Sequence, residues 1–203
     1  MQLVAENLVL SRGGRVIVDG LSFRLSGGSA LLLTGANGSG KTTLLRALAG
    51  FLRPASGFVR LKNADEEREP GEQMHFVGHL DGIKSHLTVQ ENLGFWAAFL
   101  GGGGDVAAAL DAFALTGLAG IPAGYLSAGQ KRRLGLARLA AAKRPVWLLD
   151  EPTVSLDAAS VALLVTAINA HVAGGGLAVI ATHVPMPLAR AQEIRLGPAE
   201  GRT

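Results

Sequence analysis

Apolar positions along this chain come in short bursts, most of them closed by glycine or proline. Residues 2–10 alternate loosely (Leu3, Ala5, Leu8, Leu10), which predicts a strand. Arg12-Gly13-Gly14-Arg15 reads as a turn. Val16-Ile17-Val18 and Leu21-Ser22-Phe23-Arg24-Leu25 are two further strand candidates, the second with period-two alternation, and Gly27-Gly28 breaks it. Ala30-Leu31-Leu32-Leu33-Thr34 is short and apolar and predicts a buried strand. Residues 43–49 read as a helix, with Gly50 as its stop. A turn at 54–57, a strand at 58–61, a solvated charged loop or hairpin at 62–73 and an apolar strand at 74–77 follow.

The pattern then turns helical. Thr88-Val89-Gln90-Glu91 has the form of a capping box, and its helix should run through Phe95, Trp96 and Leu100. Gly101 to Gly104 is a flexible break, and Asp105 can cap a helix from Val106 to Leu115. Ser127 and Gln130 stand as cap and third residue of another, over 131–142. Val146-Trp147-Leu148-Leu149-Asp150-Glu151 is an apolar strand that ends in two carboxylates. Residues 158–182 hold no Asp, Glu, Lys or Arg, and length alone would let them span a membrane. Asn169, His171 and Gly174-Gly175-Gly176 divide them better into a buried helix, a turn and a buried strand. The whole reads as one α/β domain, residues 1–203. Its core lies at about 1–78 and 141–203, and a helical lobe at about 79–140 is inserted into it.

Composition narrows the function classes. The 203 residues are 48% apolar, ample for a core, and carry no cysteine, which excludes disulfides and thiolate metal sites. Nineteen basic residues against 16 acidic ones are too balanced and dispersed to argue for nucleic acid; the one tight cluster is Lys131-Arg132-Arg133. The first residues lack the order of a signal peptide, so the chain is expected to stay in the cytosol.

The chemistry is concentrated at Gly35-Ala36-Asn37-Gly38-Ser39-Gly40-Lys41-Thr42, which fits the phosphate-loop pattern G-x-x-x-x-G-K-[ST] without a mismatch. Its glycines let the backbone close around an anion with N–H groups pointing inward, and the following helix adds its positive end. Lys41 is the candidate for the β- and γ-phosphates of a nucleotide, and the Thr42 hydroxyl for Mg²⁺. Asp150, at a strand's end, is the second candidate for Mg²⁺, and Glu151 for orienting or deprotonating an attacking water. The long interval between Lys41 and Asp150 exceeds what a small nucleotide kinase needs and leaves room for the lobe. Leu126-Ser127-Ala128-Gly129-Gln130 makes a second helix N-terminus suited to an anion. It reads either as an ordinary capped helix or as a surface where Ser127 and Gly129 meet the nucleotide of a second copy, head to tail.

Taken together these segments resemble the ATP-binding-cassette family. Residues 35–43, ending in Thr42-Thr43, look like its Walker A loop, and 126–130 like its LSGGQ signature with Ala128 for the first glycine. Leu148-Leu149-Asp150-Glu151-Pro152-Thr153 is similar to its Walker B with catalytic glutamate, Ser155-Leu156-Asp157 to its D-loop, and Ala181-Thr182-His183 to its switch histidine. The resemblance covers essentially the whole chain. It implies a phosphate-loop NTPase core of α/β class with an N-terminal antiparallel β subdomain and an inserted helical subdomain. It also implies ATP and Mg²⁺ as cofactors and a head-to-tail dimer with two ATPs between Walker A and signature surfaces, contacted by Ser127, Gly129 and Gln130. His183 would contact the γ-phosphate. Two positions depart from the family pattern. Arg12 stands where an aromatic ring would stack on adenine; it can stack through its guanidinium or be a solvated turn residue. His79 stands where a glutamine would bind Mg²⁺-linked water, a role it can fill only when neutral.

Arg12 to Arg15, Gly78-His79, Gly82-Ile83-Lys84, Leu87-Thr88 and Glu91-Asn92-Leu93 further resemble the ATP-binding subunits of cytochrome c biogenesis haem exporters. That implies a peripheral subunit on the cytoplasmic face of a bacterial inner membrane, with integral membrane subunits as partners and no nucleic acid. The region from Gly78 to His86 and the first helices of the lobe would receive those partners. Trp96 and Phe99 are candidates for that groove, or for ordinary core packing. The alternatives are an ATPase subunit of another exporter, a soluble non-transport ATPase of the same family, or a plain phosphate-loop kinase or GTPase, which would leave the signature unexplained.

Overall fold

The computed structural model describes residues 1–101 and 104–197; Gly102 and Gly103, in the expected flexible break, lie outside the described residues. Strands β1 (Gln2–Arg12), β2 (Arg15–Ser26) and β4 (Ser56–Lys62) form an antiparallel sheet in the order β2-β1-β4. The two strands expected at 16–18 and 21–25 are one, β2. Its pairing runs from Leu8↔Leu21 to Leu10↔Val18, so one extra residue bulges out around Asp19 and Gly20. Gly20 takes a φ of +64° there, which is how a single strand carries two apolar bursts with a break between them.

The second sheet is parallel. It contains β3 (Ser29–Thr34), β5 (Met74–Val77), β6 (Val146–Asp150), β7 (Leu177–Ala181) and β8 (Ala191–Arg195), ordered β5-β6-β7-β3-β8. All residues of β6 and β7 are buried, which explains why their apolar runs are continuous. The two faces serve different cores. Val146 and Leu148 join Leu3, Leu44 and Leu45 on the side of the antiparallel sheet and α1 (Lys41–Leu48). Trp147 and Leu149 join Leu93, Leu110, Leu136 and Ile168 on the other side. Those leucines and Ile168 come from α2 (Val89–Phe99), α3 (Val106–Ala112), α4 (Ala128–Ala141) and α5 (Ala158–Ala173). β8 has no counterpart in the apolar pattern: Ala191-Gln192-Glu193-Ile194-Arg195 is an exposed edge strand held by its ladder to β3.

Helix ends follow their caps. Thr88 and Glu91 close both halves of their capping box at the start of α2. α1 starts at Lys41, two residues before the expected start at Thr43, and α4 at Ala128, three before Lys131. α3 stops at Ala112 rather than Leu115. Ala114 turns to a φ of +51°, Leu115 drops fully into the core, and Arg133 Nη1 holds the carbonyls of Phe113 and Ala114. The uncharged stretch 158–182 divides into α5, a glycine turn and β7. Among the described residues no helix is long and apolar enough to cross a membrane.

Candidate active site

The parallel sheet presents the carboxyl ends of β3, β6, β7 and β5 at one edge, where the strand order departs from the chain order. From β3 the chain enters the phosphate loop. Gly35 has a φ of +134°, and a Cβ there would lie 2.3 Å from the Leu196 carbonyl oxygen, so only glycine fits. Gly40 caps α1 at a φ of +99° and has no side chain to offer, which leaves the first turn's N–H groups uncapped. A Cβ on Gly40 would strike Ile17 Cγ2 at 2.7 Å, because β2 packs directly against the loop. Lys41 is buried and reaches back across the loop, donating from Nζ to the carbonyls of Gly35 (2.8 Å) and Ala36 (3.2 Å). Ser39 Oγ is buried with no hydrogen-bond partner among the described residues. The loop thus presents an ammonium, an orphaned hydroxyl and an open helix end, the donor set of an anion site.

Beside it, Thr42 Oγ1 donates to Asp150 Oδ1 at 3.0 Å. Asp150 ends β6, and its side chain is 2% exposed. Glu151 follows with a φ of +46°, held by its N–H to the Ala181 carbonyl (2.9 Å). Its Oε2 is buried and lies 2.9 Å from His183 Nδ1, two residues past β7. The contact is close but not aligned as a hydrogen bond, and Oε2 has no hydrogen-bond partner among the described residues. His79, two residues past β5, places Nε2 3.9 Å from Asp150 Oδ2, with its ring largely in solvent. Four separate segments therefore meet around one carboxylate pair.

Ser127, Gly129 and Gln130 are elsewhere. Ser127 Oγ accepts from the Gln130 N–H (3.2 Å), and Gln130 Oε1 accepts from the Ser127 N–H (2.8 Å), so the capping box is closed. Among the described residues none of the three bonds residues 35–43; their neighbour is the 152–157 turn, with the Ser155 carbonyl 3.0 Å from where a Gly129 Cβ would be. Arg12 is exposed and pairs with Arg15 at the tip of the β1–β2 hairpin. The same β2 contributes Ile17 and Val18 to a cleft of about 250 Å³ that reaches Ser39 and Leu196.

The ABC transporter family model matches residues 18–154, which span the loop, the α4 cap and the carboxylate pair. The chain belongs to the ABC transporter family. It is an ABC-type ATPase subunit with the family's α/β fold. It is 50% identical to the cytochrome c biogenesis ATP-binding export protein CcmA of Agrobacterium fabrum, over 97% of this chain and 95% of that one. The protein of that name from Rhodopseudomonas palustris is 48% identical, over 98% and 100%. Two solved structures share the fold. The ATP-binding subunit of an ABC transporter has a TM-score of 0.79 and 21% identity over 91% of this chain and 80% of that one. A putative ABC transporter ATP-binding protein from Pyrococcus furiosus has 0.81 and 20% over 95% and 97%.

In this ABC ATPase, Thr42 and Asp150 are hard oxygen donors side by side, which suits an ion that also takes phosphate oxygens. Among the described residues no cluster of three His, Cys, Asp or Glu side chains could hold a metal by protein ligands alone. The sequence pattern missed Arg132 and Asp81. It registered Arg132 only as part of a basic cluster, yet each of the three cations donates to backbone carbonyls, Lys131 to Gly124, Arg133 to Phe113 and Ala114, Arg132 to several at once, and Arg132 is buried. The available signal was the spacing: Arg132 lies five residues past the cap, on the buried side of α4.

Proposed function

We propose that this chain is the ATP-hydrolysing subunit of a haem exporter of c-type cytochrome biogenesis, peripheral to the cytoplasmic face of a bacterial inner membrane. Two copies close head to tail on two ATPs, each between residues 35–43 of one copy and Ser127, Gly129 and Gln130 of the other, and closure drives integral membrane subunits. Lys41 and the loop's N–H groups bind the phosphates, with Ser39, Thr43 and the Gly35-Ala36-Asn37-Gly38 turn shaping the cradle. Thr42 and Asp150 would hold Mg²⁺, with His79 near its water shell; the ion would neutralise charge on the β- and γ-phosphates. Glu151 orients the attacking water and accepts its proton, and His183 stabilises charge that develops on the γ-phosphate. Arg12 stacks on the adenine. Residues 79–140 act as the helical lobe that receives the membrane partners. Phe99, 68% exposed and stacked on Phe95, faces them, whereas Trp96 packs under Arg138 with its indole N–H on the Gly82 carbonyl.

The observation that carries the reading is the meeting of Thr42, Asp150, Glu151 and His183 at one sheet edge, in a chain about half identical to export proteins of cytochrome c biogenesis. The test has two readouts. A Glu151→Gln variant should dimerise on ATP and magnesium while turnover falls by about 10²–10⁴-fold. The wild-type chain should restore c-type cytochromes to a bacterium lacking its own ATP-binding export protein, and the variant should not. A chain that stays monomeric with ATP would defeat the head-to-tail reading, and a failed rescue by the wild-type chain would defeat the haem-exporter reading.

A further inference from the structure

Arg132 is buried among three segments that the chain order keeps far apart. Its Nη2 donates to the Glu151 carbonyl at 3.0 Å and its Nε to the Pro152 carbonyl at 3.2 Å. Its Nη1 donates the other way, to the Gly78 carbonyl at 2.9 Å and to Asp81 Oδ1 at 2.7 Å. One planar cation on α4 therefore bridges the turn after β6 and the segment after β5. The flat five-donor fork of arginine makes this possible; the three donors of a lysine sit on one atom and cannot face both sides.

The two ends of the bridge are both special. Glu151 holds a left-handed backbone that a residue with a side chain adopts only under constraint, and its carbonyl is fixed by Arg132 and, at 3.3 Å, by the Val154 N–H. Asp81 reaches Arg132 because α4 has a glycine opposite it: a Cβ on Gly135 would lie 2.6 Å from Asp81 Oδ1. The same 78–84 segment carries His79 and is pinned again by Arg138 at the Asp81 carbonyl, by Trp96 at Gly82 and by Asn92 at Lys84.

We propose that Arg132 is a positioning residue for ATP hydrolysis, which sets the Glu151 carboxylate by holding its backbone and ties that backbone, through Gly78 and Asp81, to the segment bearing His79. This rests on the proposed role of Glu151. A displacement of residues 78–82 is passed to Glu151 through the guanidinium, while the phosphate loop, which receives no bond from Arg132, is untouched.

The test compares Arg132→Lys, Asp81→Asn, their combination and Glu151→Gln in the 203-residue chain, with kcat, KM and ATP Kd measured for each. Arg132→Lys should lower kcat about 10–100-fold with KM and Kd within about threefold, as expected for a misplaced base beside an intact binding loop. Asp81→Asn should lower kcat about 3–10-fold, and the combination should be no slower than Arg132→Lys, since both remove one bridge. A kcat within about twofold of wild type in Arg132→Lys, a parallel loss of kcat and ATP affinity, or full additivity overturns the proposal. If Arg132→Lys does not fold, Asp81→Asn decides: a lower kcat at unchanged Kd supports the bridge, and an unchanged kcat overturns it. Inactive Glu151→Gln beside active Arg132→Lys removes the bridge alone. Active Glu151→Gln removes the role of Glu151 and this proposal together.

Discussion

Gly94 and Gly135 each lie mid-helix, and replacing each with alanine should change stability in opposite directions. Gly94 in α2 has nothing within 4 Å of an added Cβ. There Gly→Ala should add about 1 kcal/mol, because the unfolded chain loses conformational freedom and the helix gains its best former. Gly135 in α4 faces Asp81, and an added Cβ would meet Oδ1, Cβ and Cγ at 2.6, 2.7 and 2.8 Å. Rotating the carboxylate is not enough, since Asp81 Cβ itself is too near; the 78–82 segment has to retreat and the 2.7 Å bond to Arg132 is lost. A hydrogen bond between charged groups is worth about 1.5–3 kcal/mol, and the guanidinium, 5% exposed, is left short of an acceptor. Subtracting the helix gain leaves a net loss of about 0.5–2 kcal/mol. For a domain of this size that is a Tm lower by roughly 1–8 °C, against a rise of roughly 2–4 °C for Gly94→Ala. Calorimetry of both variants without nucleotide, at one pH and salt, reads the two shifts. A rise in Tm for Gly135→Ala equal to that of Gly94→Ala would refute the reasoning, because the Asp81–Arg132 contact would then add nothing to the fold.

Lys41→Ala should weaken ATP binding and turnover together; unchanged ATP affinity would contradict the loop assignment. Phe99→Asp should reduce co-purification with membrane partners while ATP hydrolysis by the isolated chain is unchanged; undiminished capture would remove that surface from the docking site. His75 is held neutral, its pKa pushed down to about 4 by burial, against the opposing hydrogen bond to the Ala142 carbonyl and with added repulsion from Arg138, Arg144 and His171. The unfolded histidine, near 6.5, binds its proton first. Stability from this group is therefore fully present above pH 6.5 and is lost as pH falls toward 4, by up to about 3 kcal/mol. Urea unfolding from pH 7 to 4 should show a slope that His75→Gln reduces; equal slopes in the two proteins would rule His75 out as the acid-sensitive group.

Much of the local structure was legible because local chemistry decides it. Thr88 with Glu91 and Ser127 with Gln130 each close a capping box, since both partners lie within one turn. The strands β3, β6 and β7 stand out because burial on both faces demands unbroken apolar runs. β8 was not legible: Ile194 is its one large apolar residue, and its place depends on the free edge of β3, where Ala191 pairs with Ala30 from the far end of the chain. The early end of α3 depended likewise on Arg133 of α4 taking the carbonyls of Phe113 and Ala114.

For this protein the order of residues alone determined the elements whose causes lie within a few positions: the phosphate loop and the helix after it, the capped helix starts, the strand that ends in Asp150 and Glu151. Tertiary structure alone decided which of those ends meet. The parallel order β5-β6-β7-β3-β8 brings Thr42, Asp150, Glu151, His183 and His79 to one edge and leaves Ser127 and Gly129 on another surface. It also turned Arg132 from one charge in a basic run into a buried bridge. Periodicity and capping are short-ranged and can be read along the chain. The partners of a long cation are set by whatever backbone the fold carries past it.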